Sequence, residues 1–406
     1  MTIRVAVTGM GCVSGLGQGL AANWSRTIEG HGAITAFALP RDGEPRLSGP
    51  AAPIRELDQS GLAVHFDRRA VGQIDPLTRF ALVAATEAIE DAGLIGDPVL
   101  NRRTAILIGC GSGGNETFDG AYRRLYERGQ TKVHPQTIPT AMISAPASQL
   151  AMLFGIHGPA LTIASACASS AHALGEAMHM IRAGRADVVI AGGTEACLTL
   201  GSWVAWSSLG ALATDTCRPF SIDRQGMVLG EGAAILVLEA WDHAVARGAT
   251  IHGELIGYGA TSDAAHITMP DQTGIEAAIR AAHADAGLPL DVPVLISSHG
   301  TGTRLNDATE AAAIRAVYGD ALSESLVIAT KSAHGHLIGG SGALEFLLGL
   351  KALQAGRAPA ILNHVGDDPA CDIPLALARS DIAYDHLVSN SFAFGGLNAV
   401  LIGRRA

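Results

Sequence analysis

Charge and aromatic side chains are scarce in this chain. Of its 406 residues, 16% are Asp, Glu, Lys or Arg and 4% are Phe, Trp or Tyr. So little charge excludes a self-repelling disordered chain, and 49 glycines point to a compact, deeply buried protein rich in tight turns. Positive charge is the scarcer sign: 28 Lys and Arg against 38 Asp and Glu leave 28 − 38 = −10. With no long basic run, no nucleic-acid partner is expected. The six cysteines, Cys12, Cys110, Cys167, Cys197, Cys217 and Cys371, include no CxxC pair, which excludes a zinc knuckle and a dithiol redox motif. No apolar run is long enough to span a bilayer, so no membrane insertion is expected. The first residues, MTIRVAVTGMG, read as a strand broken by Arg4 and lack a signal peptide's apolar core. The expectation is a cytoplasmic protein with reduced thiols.

What is present is alternation. Strand-like apolar runs cover 5–8, 105–108, 188–191, 234–238, 294–297, 327–329 and 399–402, and helix-like runs cover 77–92 and 275–286. That pattern predicts an α/β protein, and continuous rather than alternating apolar strands predict sheets buried on both faces. The halves also echo each other. A helical pattern after Cys167 ends in Ile181-Arg-Ala-Gly-Arg-Ala186, and one after Lys331 ends in Leu353-Gln-Ala-Gly-Arg-Ala358, each followed by an apolar run. Gly184 and Gly356 fall where a helix end favours a left-handed residue. The echo suggests a duplicated fold with its joint near residue 250, giving halves 1–250 and 251–406.

Six stretches could carry chemistry. The opening VTGMGCVSGLG follows a strand but has neither GxGxxG nor GK[ST], so it reads as a tight strand-to-helix turn. The run 109–114, GCGSGG, fails the same way, though six small residues leave room for a ligand. Cys167, in TIASACASSAH, sits at a helix start, where free N–H groups and partial positive charge lower a thiol's pKa; an inert buried cysteine fits the same local context. His299, in SHGTGTRLND, ends a buried strand at the sheet edge where α/β proteins bind ligands. The segment TKSAHGHLIGG repeats that design. Its His334 and His336 have HxH spacing, but no third metal ligand follows at a recognisable distance, so no metal is expected. Finally, NSFAFGGLN sets two phenylalanines in a glycine-rich loop before the last strand.

Taken in order, these motifs resemble the β-ketoacyl-acyl carrier protein synthase family, in its synthase II branch. The likeness covers essentially the whole chain, through VTGMGCVSGLG, SACASS, ADVVIAGGTEA, CRPFSIDRQGMVLGEGA, SDAAHITMP, HGTGTRLND, ATKSAHGHLIGGSGALE and NSFAFGGLNAVLIG. DTCRPFSIDRQGMVLGEGA is also similar to nodulation-type and polyene-type synthases of that branch. The resemblance implies the thiolase fold, two βαβαβαββ halves in a five-layered α-β-α-β-α stack, and a dimer whose acyl pockets are shared across its interface.

By resemblance, Cys167 is the nucleophile, His299 and His336 the two catalytic histidines, and Lys331 the supporting lysine. Glu310 and Asp307 match the acidic residues after the first histidine motif, with Glu310 expected to pair with Lys331. Phe394 matches a gating phenylalanine, and the N–H groups of Cys167 and Phe394 would form an oxyanion hole. Thr301 and Thr303 would hold a phosphopantetheine arm. The implied reaction moves an acyl chain from acyl carrier protein to Cys167, then decarboxylates malonyl-carrier protein and condenses the two, with no cofactor beyond that arm.

Departures from the branch concern the pocket and the docking face. Ser112 stands where a bulkier aliphatic often limits chain length, and Trp206 falls near a pocket aromatic. Serine lowers that barrier while tryptophan would raise one, and the expectation is a pocket open past residue 112, suited to medium, long or unsaturated chains. Arg68 and Arg69 keep a basic docking face, but Gly72, Gln73 and Gly210 stand where basic residues are common. A specialised carrier protein or a second subunit would account for that loss. Within the fold, a thiolase-type enzyme would place a second cysteine in the 391–396 loop, and a chalcone-type enzyme would pair one histidine with asparagine. A non-catalytic chain-length factor would lack the nucleophile. The remaining alternative is the catalytic half of a heterodimeric polyketide or polyene synthase paired with such a factor.

Overall fold

The computed structural model describes residues 2–39, 47–60, 62 and 74–406. Arg68, Arg69, Gly72 and Gln73 lie outside the described residues. The first half runs β1 (Val5–Ser14), α1 (Pro76–Asp91), β2 (Thr104–Gly109), α2 (Ala145–Phe154), β3 (Ala160–Ile163), α3 (Ser169–Arg182), β4 (Val188–Glu195) and β5 (Gly232–Ala240). The second repeats the order with β6 (Gly253–Ser262), α4 (Gln272–Ala286), β7 (Leu295–Ser297), α5 (Arg304–Tyr318), β8 (Leu326–Ile328), α6 (Ser341–Ala355), β9 (His386–Ala393) and β10 (Leu397–Arg405). The strands align as β3-β2-β4-β5-β1 and β8-β7-β9-β10-β6, so the two halves share one topology. They meet where β1 pairs antiparallel with β6, Ala6 opposite Glu254. Arg4 precedes β1 and clasps Glu254, its Nε 2.9 Å from the carboxylate.

Three apolar clusters divide the interior into layers. One joins α3 and α6 to the inner faces of both halves, a second packs α1 and α2 on the outside of the first half, and a third packs α4 and α5 on the second. The stack is thus α-β-α-β-α. Helix α6 is apolar nearly all round, as a helix enclosed by two sheets must be. Its Leu344, Phe346, Leu347, Leu348 and Leu350 are fully buried, each contributing roughly 1.5–3 kcal/mol. Gly184 and Gly356 do adopt left-handed φ, 67° and 61°, at the two helix ends.

The glycine-rich opening is a strand where a turn was expected. Strand β1 continues to Ser14 because α1 lies directly upon it. A Cβ at Gly9 would sit 2.0 Å from the Ala88 carbonyl, and one at Gly11 would sit 2.1 Å from that of Ala84. Glycine serves close helix–strand approach here, with no ligand to cradle. Among the described residues no helix is long and apolar enough to cross a membrane.

Candidate active site

Cys167 lies in the three-residue turn Ala166–Ala168 that leads into α3. The preceding Ala166 takes φ 48°, turning the chain sharply so that the sulfur faces the far half. His299 follows β7 and His336 follows the short helix Lys331–His334, so two loops of the second half close over the turn of the first. One sulfur or ring nitrogen from each of Cys167, His299 and His336 lies within 4.8 Å of the others. The two rings stand edge to face, 5.5 Å apart. All three residues line a pocket of about 390 Å³, with Thr301, Thr303 and Phe394 along its walls.

Hydrogen-bond partners assign the tautomers. The Lys331 ammonium donates to the His299 carbonyl at 2.6 Å and faces His299 Nδ1 at 3.3 Å. A cation there requires Nδ1 to be the acceptor, which leaves the proton on Nε2. Ser341 Oγ accepts the Leu337 N–H at 2.9 Å, so its own proton goes to His336 Nδ1, 2.8 Å away. His336 Nε2 therefore also carries hydrogen, and it meets no partner. Burial, reinforced by Lys331, pushes both histidines well below their ordinary pKa, so both are neutral donors. An adjacent ammonium also makes this Cys-His-His group a poor host for a metal cation.

The helix-start placement does not by itself yield a thiolate. Burial pushes the Cys167 pKa up to about 12, against the opposing pull of Lys331 and of the backbone N–H groups of Phe394 and Cys167. Those two N–H groups flank the sulfur, where an oxyanion would form. The resting group is a thiol that must lose its proton as it reacts.

The expected partner of Lys331 is corrected: it is Glu345, on α6, and the pair is fully buried. Glu310 instead accepts the N–H groups of His299 (2.7 Å) and Gly300 (2.9 Å) and the Asn390 amide (3.2 Å). It shapes the chain at His299, and burial raises its pKa to about 7. Asp307 accepts the Phe220 N–H at 2.8 Å. His334 turns away from His336 toward Thr330 (3.0 Å) and the Gly335 carbonyl (2.7 Å), so the HxH pair does not converge.

Ser112 and Trp206 do not line the pocket. Ser112 is exposed and donates 2.8 Å to the buried carboxylate of Glu195. Trp206 stacks on Phe394, ring centres 6.1 Å apart, outside the wall that Phe394 forms. Gly210 is a lining residue. Sequence reasoning missed Glu195 and Glu345. Both are carboxylates inside buried segments, Val188–Glu195 and Ser341–Ala355, and an acid in such a run signals an internal partner.

Residues 2–244 match the model of the beta-ketoacyl synthase N-terminal domain, and residues 252–365 match that of its C-terminal domain. The chain is 40% identical to nodulation protein E of Rhizobium leguminosarum bv. trifolii over all of both chains. It is 36% identical to 3-oxoacyl-[acyl-carrier-protein] synthase 2 of Staphylococcus aureus, over 99% of this chain and 98% of that one. The ishigamide ketosynthase/chain length factor superposes with a TM-score of 0.94 at 32% identity, covering both chains fully. Full-length relatives, matched domains and shared architecture agree that this chain belongs to the β-ketoacyl synthase family of condensing enzymes.

Proposed function

We propose that the chain catalyses a decarboxylating Claisen condensation between an acyl group on Cys167 and malonyl-acyl carrier protein, giving 3-oxoacyl-carrier protein. The observation that carries this reading is two neutral histidines, His299 and His336, each with its proton on Nε2, gathered with one buried thiol so that a ring nitrogen of each and the sulfur lie within 4.8 Å of one another. In the first half-reaction the Cys167 sulfur attacks the acyl thioester, its proton passing through the pocket to the departing carrier thiol. The N–H groups of Cys167 and Phe394 hold the tetrahedral oxyanion. In the second, malonyl thioester loses CO2 while both histidines donate to its carbonyl, stabilising the enolate without adding negative charge. The enolate carbon then attacks the acyl-cysteine, and the C–S bond breaks. Lys331 and Glu310 position His299, while Thr301 and Thr303 hold the arm.

The reading is of a cytoplasmic enzyme with halves 1–250 and 251–406 that draws on no cofactor beyond the carrier's arm. The break between the two matched family domains, after residue 244 and before 252, supports that division. Edge strand β3 and exposed Met142, Met152 and Leu161 beside it form the face for a second subunit. A homodimer is the first reading. The likeness to the ishigamide ketosynthase/chain length factor favours, as the second, a heterodimer in which this chain is the catalytic half. The test is intact-mass detection of acyl transfer onto Cys167 from a panel of acyl-carrier proteins, followed by malonyl-carrier protein. An adduct lost in Cys167→Ala, and a 3-oxo product, are expected; no adduct from any carrier overturns the reading.

A further inference from the structure

The two central helices begin alike and then part at one position. The segments 165–186 and 337–358 are counterparts, aligned by their AGRA ends. In the first, Ser169 Oγ accepts the Ser165 N–H at 2.9 Å; in the second, Ser341 Oγ accepts the Leu337 N–H at 2.9 Å. Three residues further on, α6 carries the fully buried Leu344 and α3 carries His172. A polar ring thus stands in the half that holds the nucleophile, at a place where the twin helix has only an apolar packing residue.

His172 spans the Cys167 turn. Its Nδ1 lies 2.9 Å from the Ser165 hydroxyl, just before the turn, and 3.0 Å from the Ala168 carbonyl, at its end. A carbonyl only accepts, so Nδ1 carries hydrogen and shares it between the two oxygens. Burial lowers the His172 pKa, which keeps the ring neutral. The ring is also fixed from the second half, where buried Tyr258 on β6 meets it edge to face with centres 6.1 Å apart. Ser169 completes the brace by donating 2.6 Å to the Ala166 carbonyl.

The turn needs such a brace. Ala166 is held at φ 48°, and a residue so strained persists only where its surroundings over-determine it. The counterpart turn at Ile338–Gly340 is packed against the backbone of the first half. Around Cys167 the pocket side is open, so side-chain hydrogen bonds take over that task. The peptide joining Ala166 to Cys167 supplies the N–H that flanks the sulfur. A small rotation of the turn therefore moves nucleophile and oxyanion donor together.

We propose that His172 is a positioning residue: through Ser165 and Ala168 it fixes the Cys167 turn in the geometry that acyl transfer requires. This rests on the condensing reading above. It separates the two half-reactions, because His299 and His336 are held independently, by Lys331 and by Ser341.

The experiment compares wild type, His172→Leu and His172→Asn as full chains. Acylation of Cys167 by hexanoyl-pantetheine is followed by intact mass, and conversion of malonyl-pantetheine to acetyl-pantetheine by mass spectrometry. His172→Leu, which installs the residue of the twin helix, is expected to slow acylation by roughly 10- to 100-fold while decarboxylation and melting temperature stay near wild type. His172→Asn keeps an N–H close to the Nδ1 position and should recover most of the lost rate. Acylation at the wild-type rate in His172→Leu overturns the proposal. So does an equal loss of acylation and decarboxylation, or an asparagine variant no faster than the leucine one. If His172→Leu does not fold, Ser165→Ala removes one of the two partners with little change in volume; it should slow acylation several-fold, and an unchanged rate overturns the proposal. Wild-type protein that takes no acyl group from hexanoyl-pantetheine or from any carrier protein overturns the condensing reading as well.

Discussion

The turns that begin the two central helices occupy equivalent places, and only one of them carries chemistry. Ala166–Ala168 leads into α3, and Ile338–Gly340 leads into α6. Each opens on a non-glycine residue at positive φ, 48° at Ala166 and 43° at Ile338. That conformation costs on the order of 1–2 kcal/mol and is a marked outlier for a β-branched residue. Because the strain recurs in both halves, it belongs to the duplicated architecture and does not by itself mark a reactive group. The next residue makes the difference. Cys167 faces a pocket. Gly339 faces the backbone of the first half, where a Cβ would lie 2.4 Å from the Gly111 N. Its own N–H donates 3.2 Å to Glu195, which also accepts the Gly111 N–H at 2.7 Å. One turn is open and furnished with donors, and its counterpart is sealed. Space and neighbours, rather than backbone shape, decide where the nucleophile sits.

Removing the furnished side has the largest effect. Cys167→Ala is expected to abolish acyl transfer in intact-mass assays while keeping the wild-type melting temperature within a few degrees. Retained adduct would place the nucleophile elsewhere. Lys331→Met strips the donor behind His299 and leaves Glu345 buried without its cation, a loss of about 3–5 kcal/mol in denaturant titration. Adding Glu345→Leu should restore most of that stability but not condensation; recovery of activity would show that Lys331 serves only its ion pair. On the sealed side, Gly339→Ala forces a backbone collision and should cost about 2–3 kcal/mol, since neither main chain can yield cheaply. A neutral result would mean that the second turn is looser than its twin.

Acidity acts more gently on the two histidines that face the open turn. Both histidines titrate below their ordinary value of 6.5 in the folded chain, so the unfolded chain takes up more protons as pH falls. Their contribution to stability is complete above about pH 6.5 and is lost below it. The acid limb of the rate profile should accordingly lie well below pH 6.5, and a break near 6.5 would show a histidine in contact with water. The smallest change is Ala166→Gly. Relief of roughly 1–2 kcal/mol of left-handed strain is offset by about 0.5–1 kcal/mol of added chain entropy, leaving thermal stability within about 1 kcal/mol of wild type.

The repeat was visible in the sequence because its AGRA ends fall at real helix termini, with Gly184 and Gly356 left-handed. Cys167, His299, Lys331 and His336 stood out because each interrupts or follows a buried strand or a small-residue run. Contacts between elements left no such trace. Nothing in the spacing 331–345 tells that α6 brings Glu345, and not Glu310, to the lysine. The strand through Gly9 and Gly11 read as a turn because glycine was taken for flexibility, where α1 requires only the absence of a Cβ. Ser112 and Trp206 were read as pocket walls, but one turns to Glu195 and the other to the back of Phe394. Side-chain direction depends on packing partners far away in the chain.

The two ends of the strand array differ as well. Beyond β8, the segment at Pro374–Ala376 exchanges hydrogen bonds with Val327 and closes that end, whereas β3 ends the array with its outer side facing no strand among the described residues. An unmatched row of peptide groups beside exposed Met152 and Leu161 accepts any extended chain that reaches it, correct or not. In the proposed dimer a second subunit covers that row, and a chain kept from its partner is expected to aggregate through it.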